Sequence, residues 1–163
     1  MSLFFTSFDT SWGIFYLIAH AQALCCLHLP KEEPPPAIGE AIESPNHPLL
    51  KEARAQVMAY LSGSLRSFDL PLDPRGTPFQ REVWDQLCAI PYGETRSYGE
   101  VAGLLGNRNK ARAVGGAAHV NPIALIIPCH RMIGADGGLT GFGGGLPLKR
   151  ALLELERKNV HLG

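Results

Sequence analysis

Four consecutive residues, Pro128-Cys129-His130-Arg131, set a thiol beside an imidazole and a guanidinium. A cysteine attacks as its thiolate, and neighbouring cations lower the thiol pKa. A histidine serves as its base directly or through one water. The apolar run Ile123–Ile127 ahead of them reads as a buried strand that delivers Cys129 to an element's end. Sequence neighbours need not touch, so a small buried hydrophobe remains the competing reading of Cys129. That blander reading is adopted for Cys25, Cys26 and Cys88. No CxxC pair or disulfide-framework spacing joins the four cysteines, which are expected to be free thiols. Cys25, Cys26 and His28 make a loose metal-like cluster, but adjacent residues on a strand face opposite ways.

A second group of residues suits an anionic partner. Arg96, Arg108, Lys110 and Arg112 fall within a seventeen-residue stretch and are opposed only by Glu100. Such clustering fits phosphate contact. Beside them runs Ala111-Arg112-Ala113-Val114-Gly115-Gly116-Ala117-Ala118. Each glycine inside a helix costs roughly 1 kcal/mol relative to alanine. A helix made so thin approaches another surface closely, either the protein's own core or a narrow DNA groove. Arg112 is the long cation placed to enter such a groove. Further along, Gly141 and Gly143–Gly145 form a glycine-rich loop, either ordinary surface or backbone that closes over a flat ligand.

The elements that must position these groups are well punctuated. Leu3–Phe8, Gly13–Ala19 and Leu24–Leu29 read as strands, with Asp9–Trp12 as a turn and Pro30–Pro36 as a loop. Leu50, Ala53, Val57 and Leu61 recur at helical spacing, which predicts a helix over 48–62 before Gly63. Leu70–Gly76, with two prolines, reads as a linker. Thr77-Pro78-Phe79-Gln80 opens a helix with a capping box and Pro at its first position. Pro91-Tyr92-Gly93 stops it. Ser97 and Glu100 make a second capping box, for a helix to about Leu105. A turn at 106–109 and a short helix over 110–118 complete a helix-turn-helix pattern, or a plain helical hairpin. Pro147 starts a last helix, on which Leu148, Leu152 and Leu155 share a face.

Chain length and composition set the outer bounds. The 163 residues suffice for one domain or two small ones, and 45% apolar with 18% charged content is that of a folded globular chain. Residues 1–77 hold five Lys/Arg and eight Asp/Glu, so the zero net charge divides into an acidic first half and a basic second half. The most apolar N-terminal stretch, Trp12–Leu29, is broken by His20, Gln22 and His28 and lacks the basic start of a signal peptide. The expectation is a cytoplasmic protein, nucleoid-associated in a prokaryote, without membrane attachment.

At this point the motifs resemble a known family, the O6-alkylguanine-DNA alkyltransferases. The resemblance rests on Asn121-Pro122 followed by Pro128–Arg131, FQREVW at Phe79–Trp84, IPYGETRSYGEVA at Ile90–Ala102, ARAVGGA at Ala111–Ala117, and KRALLELE at Lys149–Glu156. It spans residues 77–157 and is weak before them. It implies two domains, 1–76 and 77–163. The first would be α/β with a small antiparallel sheet and a helix. The second would be mostly helical, winged-helix-like, and carry both DNA binding and chemistry.

The resemblance further implies that duplex DNA is held by its minor groove and an alkylated guanine is flipped out. Cys129 would take the alkyl group in one irreversible step, without a cofactor. His130 would act as base through a water, Glu156 would orient it, and Asn121 would brace the turn that holds the cysteine. Tyr98 would protonate the leaving guanine and press on the flanking phosphate. Arg112 would fill the gap in the duplex, with Thr95, Asn107, Ala111 and Gly115 as further DNA contacts. Tyr98, Met132, Phe142 and Gly143 would line the pocket. The protein would act once, as a monomer.

Two departures from the family pattern bear on this. Cys25, Cys26 and His28 do not fit the spacing of the zinc site found in some members, so no metal is expected. Phe142 and Gly143 stand where some relatives have Tyr and Ser, which leaves alkyl preference open, as is O6-alkylguanine against O4-alkylthymine. The rivals are a damage-binding module that never reacts and a cysteine hydrolase. Cys129 argues against the first, and the lack of an evident oxyanion motif against the second.

Overall fold

The computed structural model describes residues 1–30 and 33–162, so Lys31 and Glu32 of the expected 30–36 loop lie outside the described residues. The chain divides into two compact units. One comprises Met1–Pro74 with Pro122–Ala124, and the other Arg75–Asn121 with the chain from Leu125 onward.

The first unit is built on β1 (Phe4–Thr10), β2 (Gly13–Ala19), β3 (Leu24–His28) and the two-residue β4 (Ile42–Glu43), in the order β3-β2-β1-β4. β1 extends two residues beyond the expected Phe8. Thr10 pairs with Gly13, and its hydroxyl donates to the Gly13 carbonyl at 2.9 Å, so the side chain closes the turn and keeps Asp9 and Thr10 in the ladder. β1, β2 and β3 are antiparallel, as expected, but β4 joins β1 in parallel and makes the sheet mixed. Two residues of β4 are too few to show alternation, so this edge is silent in the sequence. α1 (Pro48–Leu61) buries Leu50, Ala53, Val57 and Tyr60 in place of the expected Leu61, which is half-buried. The expected linker is partly structural, because the Leu24 amide donates to Pro71 and the Asp73 amide donates to Leu24.

The run Ile123–Ile127 is buried, but it is not the expected strand. Only Ile123 bridges to Leu27, and Leu125 turns the chain with φ 72°. Burial and β-branching made the segment look extended, whereas a left-handed leucine breaks any ladder.

In the second unit, α2 (Pro78–Cys88) starts at the Thr77–Gln80 capping box and buries Val83, Trp84 and Leu87. Next come β5 (Arg96–Ser97) and α3 (Tyr98–Leu104), which carries the second capping box, Ser97–Glu100. Gly106, with φ +99°, turns the chain where a side chain would be strained. One turn of 3-10 helix at Arg108–Lys110 leads into α4 (Ala111–His119), a residue later than expected. The Trp84 indole donates to the Ala117 carbonyl at 2.9 Å, fixing α4 on α2. β6 (Met132–Ile133) pairs in parallel with β5, a contact too short to predict. α5 (Leu146–Leu162) buries Leu148, Leu152 and Leu153, while Leu155 is half-buried.

Candidate active site

Cys129 opens a single 3-10 turn, Cys129–Arg131, directly after Pro128. Pro128 (φ −82°, ψ 65°) lies in an inverse γ-turn, closed by the Cys129 amide on the Ile127 carbonyl at 2.8 Å. The same carbonyl accepts the Asn121 side-chain amide at 2.8 Å. Asn121 thus braces the turn from the end of α4. The turn runs into β6, whose pairing with β5 sets Met132 opposite Arg96 and Ile133 opposite Ser97, the cap of α3. Cys129 itself is half-buried.

His130 is fully buried, and its Nε2 lies 2.7 Å from Glu156 Oε2. Arg131 binds the same carboxylate through Nε at 2.8 Å and Nη2 at 3.1 Å, and the Gly93 amide adds a third donor at 3.1 Å. Arg131 Nη1 also donates to the Ile90 carbonyl at 2.7 Å. Burial would raise the Glu156 pKa, but the bonds and charges of His130 and Arg131 outweigh it and hold the carboxyl at about 2. Burial holds His130 below the ordinary imidazole value, Glu156 opposing and the Arg131 and Lys149 charges adding to the fall. The pair is therefore an ionised carboxylate and a neutral imidazole. A carboxylate only accepts, so His130 donates from Nε2 and keeps Nδ1 as a proton acceptor.

Arg131 corrects one expectation. Read as a cation that would lower the thiol pKa, it is instead directed onto Glu156. A buried cation whose charge couples to Cys129 is Lys149, 1% exposed, with Nζ donating to the Thr140 carbonyl at 3.2 Å. Burial lowers the Lys149 pKa, and the charge of a Cys129 thiolate pulls it back up. The signal for Lys149 was its seven-residue distance from Glu156, which places both on the Leu152 side of α5.

Tyr98 begins α3, and its hydroxyl lies 2.5 Å from Thr140 Oγ1 on the glycine-rich loop. A Cβ on Gly115 of α4 would sit 3.6 Å from the Tyr98 ring, and one on Gly116 would meet nothing within 4 Å. The protein's own core therefore does not require this helix to be thin. Phe142 is half-buried, Gly143 exposed and Met132 wholly buried on β6. Arg112 is exposed near the start of α4. The other cations of its cluster are engaged locally: Arg96 on Glu94 at 3.1 Å, Arg108 across Gly99 and Gly103, Lys110 over the Phe79 ring. Asn107 accepts the Asn109 amide through its side chain and caps the turn, Thr95 is half-buried, and Ala111 is the first residue of α4.

The remaining cysteines are dispersed. Cys25 and Cys26 are half-buried, and Cys88 is exposed at the end of α2 rather than buried as expected. Among the described residues no three His, Cys, Asp or Glu are grouped to hold a metal ion, and no helix is long and apolar enough to cross a membrane.

With this geometry established, known proteins extend the picture over nearly the whole chain. Residues 3–74 match the 6-O-methylguanine DNA methyltransferase ribonuclease-like domain, and residues 78–158 match the DNA binding domain of the same description. A methylated-DNA–protein-cysteine methyltransferase of Methanosarcina barkeri is 56% identical over 71% of this chain and 73% of its own. One from Mycobacterium bovis is 46% identical over 96% and 93%. The crystal structure of Mycobacterium tuberculosis OGT in complex with DNA aligns with a TM-score of 0.89 at 46% identity, over 96% of this chain and 94% of that one.

Proposed function

The chain belongs to the 6-O-methylguanine DNA methyltransferase family, and from that premise we propose that it repairs duplex DNA by moving the alkyl group of an O6-alkylguanine onto Cys129. The observation that carries the assignment to Cys129 is its seat on a braced turn, followed directly by a buried, neutral His130 locked to an ionised Glu156.

His130 Nδ1 takes the thiol proton through a water, and the imidazolium that forms is stabilised by Glu156. The buried Lys149 charge favours the thiolate. The sulfur attacks the alkyl carbon, the C–O6 bond breaks, and its electron pair stays on the guanine. Tyr98 supplies a proton to the departing base at N3. A thioether is a poor leaving group at neutral pH, so each molecule reacts once.

Recognition belongs to α3 and α4. The open face at Gly116 lets α4 approach the minor groove closely, and Arg112 enters the duplex where the flipped base has left. In this reading Thr95, Asn107, Ala111 and Gly115 add further contacts to the duplex, while Phe142 and Gly143 flank the flipped base. Met132, buried on β6, lines the pocket in the same reading. A duplex substrate places the protein's work wherever the genome is kept.

Mass spectrometry after incubation with duplex DNA containing one O6-methylguanine tests this. The expected result is one methyl group gained, on the Cys129 peptide, saturating at one per protein. A folded, reduced protein that binds the lesion and gains no mass would instead be a damage-binding module.

A further inference from the structure

The glycine-rich loop holds a residue with a defined place in this chemistry that neither the motifs nor the proposed mechanism uses. Thr140 touches two elements at once. Its hydroxyl lies against the Tyr98 hydroxyl at 2.5 Å, and its carbonyl accepts the buried Lys149 ammonium at 3.2 Å. The carbonyl bond ties Thr140 to α5. The Tyr98 ring is limited on another side by α4, where a Gly115 Cβ would stand 3.6 Å from two ring carbons. Ring and hydroxyl are thus both placed, the ring beside α4 and the hydroxyl by Thr140.

We infer that Thr140 is a positioning residue, whose hydroxyl donates to Tyr98 Oη and turns the phenolic proton toward the alkylated base. A hydroxyl carries one donor and two acceptor sites. When Thr140 donates, Tyr98 accepts, and its own proton is directed elsewhere. The same bond strengthens in the reaction. As the C–O6 bond breaks, Tyr98 gives its proton to guanine N3 and becomes negative. The Thr140 donor is then bonded to an anion, and such bonds are the stronger kind. The tyrosine regains a proton from solvent, and the thiol proton leaves by His130, so the protons balance. The inference rests on the alkyl-transfer reading and extends it to the acid side of the reaction.

Single-turnover transfer from O6-methylguanine duplex DNA tests it in wild type, Thr140→Val, Thr140→Ser, Tyr98→Phe and the Tyr98→Phe/Thr140→Val double variant. Lesion affinity and the rate of Cys129 alkylation by iodoacetamide are measured alongside. Valine keeps the shape and the carbonyl bond to Lys149. Thr140→Val is expected to slow transfer about tenfold, the scale of one orienting hydrogen bond to a charge, with affinity and iodoacetamide reactivity unchanged. Thr140→Ser should restore the rate. In the Tyr98→Phe background the valine should have no further effect. An unchanged rate in Thr140→Val, or the same slowing with and without the tyrosine hydroxyl, would overturn the inference while leaving alkyl transfer intact. A wild type that binds lesion DNA and never transfers would remove the alkyl-transfer reading, and the role of Thr140 with it.

Discussion

Two surfaces of the second unit are made in opposite ways. The α3–α4 surface is assembled from near neighbours. A capping box starts α3, Gly106 turns the chain toward α4, and Arg112 on α4 is exposed. The Cys129 site is assembled from distant ones. Arg131 reaches Ile90, and Glu156 closes on His130 and Arg131 from twenty-five or so residues away, all but out of solvent. In the proposed reading, binding rests on exposed groups that can be removed singly, whereas the chemistry rests on a buried network whose members hold one another. Removing a reading residue should weaken DNA binding and spare the chemistry. Removing a network residue should damage chemistry and fold together.

Cys129 is the exception that sharpens the contrast, because it is half-buried at the network's outer edge. Cys129→Ala is expected to abolish transfer and leave lesion binding and thermal stability near wild type. The readouts are methyl uptake by mass and a titration with lesion DNA. Residual dealkylation would place the nucleophile elsewhere.

Glu156→Gln should show the coupled behaviour. It leaves Arg131 buried without its counter-ion, a kind of loss that costs roughly 3–5 kcal/mol. It also removes the group that holds the His130 tautomer. Chemical denaturation should register the stability loss, and single-turnover transfer should fall by about a hundredfold, within the usual range for lost acid–base assistance. A variant as stable as wild type would mean that Glu156 is not the keystone its three donors suggest.

The same network dictates the acid limit. Both His130 and Glu156 have lowered pKa values in the fold, so the unfolded chain binds protons more readily than the folded one. Stability is therefore full above the unfolded histidine value of 6.5 and falls as pH drops. A second loss begins below the carboxyl's unfolded value of 4.5 and continues to about 2, worth about 3 kcal/mol from Glu156 alone. Denaturation midpoints between pH 8 and pH 3 check the sign. Glu156→Gln should flatten the lower part of the curve.

The contrast also explains what was legible in the sequence. Local signals were read well. Both capping boxes and the helix-turn-helix turn stand where the pattern put them, and strands β1–β3 differ by a residue or two. Long-range items were not. β4, β5 and β6 have two residues each and no period to detect. The 123–127 run had a buried strand's composition, but Leu125 adopts a conformation that composition does not reveal. Arg131 was assigned to the nearest functional group along the chain, whereas its charge is taken by a helix twenty-five residues on. Asn121, Tyr98 and Glu156 came from resemblance alone. Lys149 and Thr140 came only from the fold.

On the reading surface, Arg112→Ala should weaken lesion-DNA binding by about tenfold while reaction with free benzylguanine stays within about twofold, one intercalating contact being worth a kcal/mol or so. Equal losses in the two assays would assign Arg112 to the pocket instead.

The smallest expected effect discriminates most finely between core and groove as the reason for a thin α4. A Cβ added to Gly116 meets no protein atom within 4 Å, so Gly116→Ala carries no steric cost inside the fold. It should instead gain the helix-propensity difference, about 0.5–1 kcal/mol of stability. If the open face is there for the minor groove, the same methyl group should stand between α4 and DNA and lower affinity a few-fold, without changing reaction with the free base. Stability and binding would then move in opposite directions from a single carbon. Affinity that holds or improves alongside the gained stability would show that α4 does not press into the groove at Gly116.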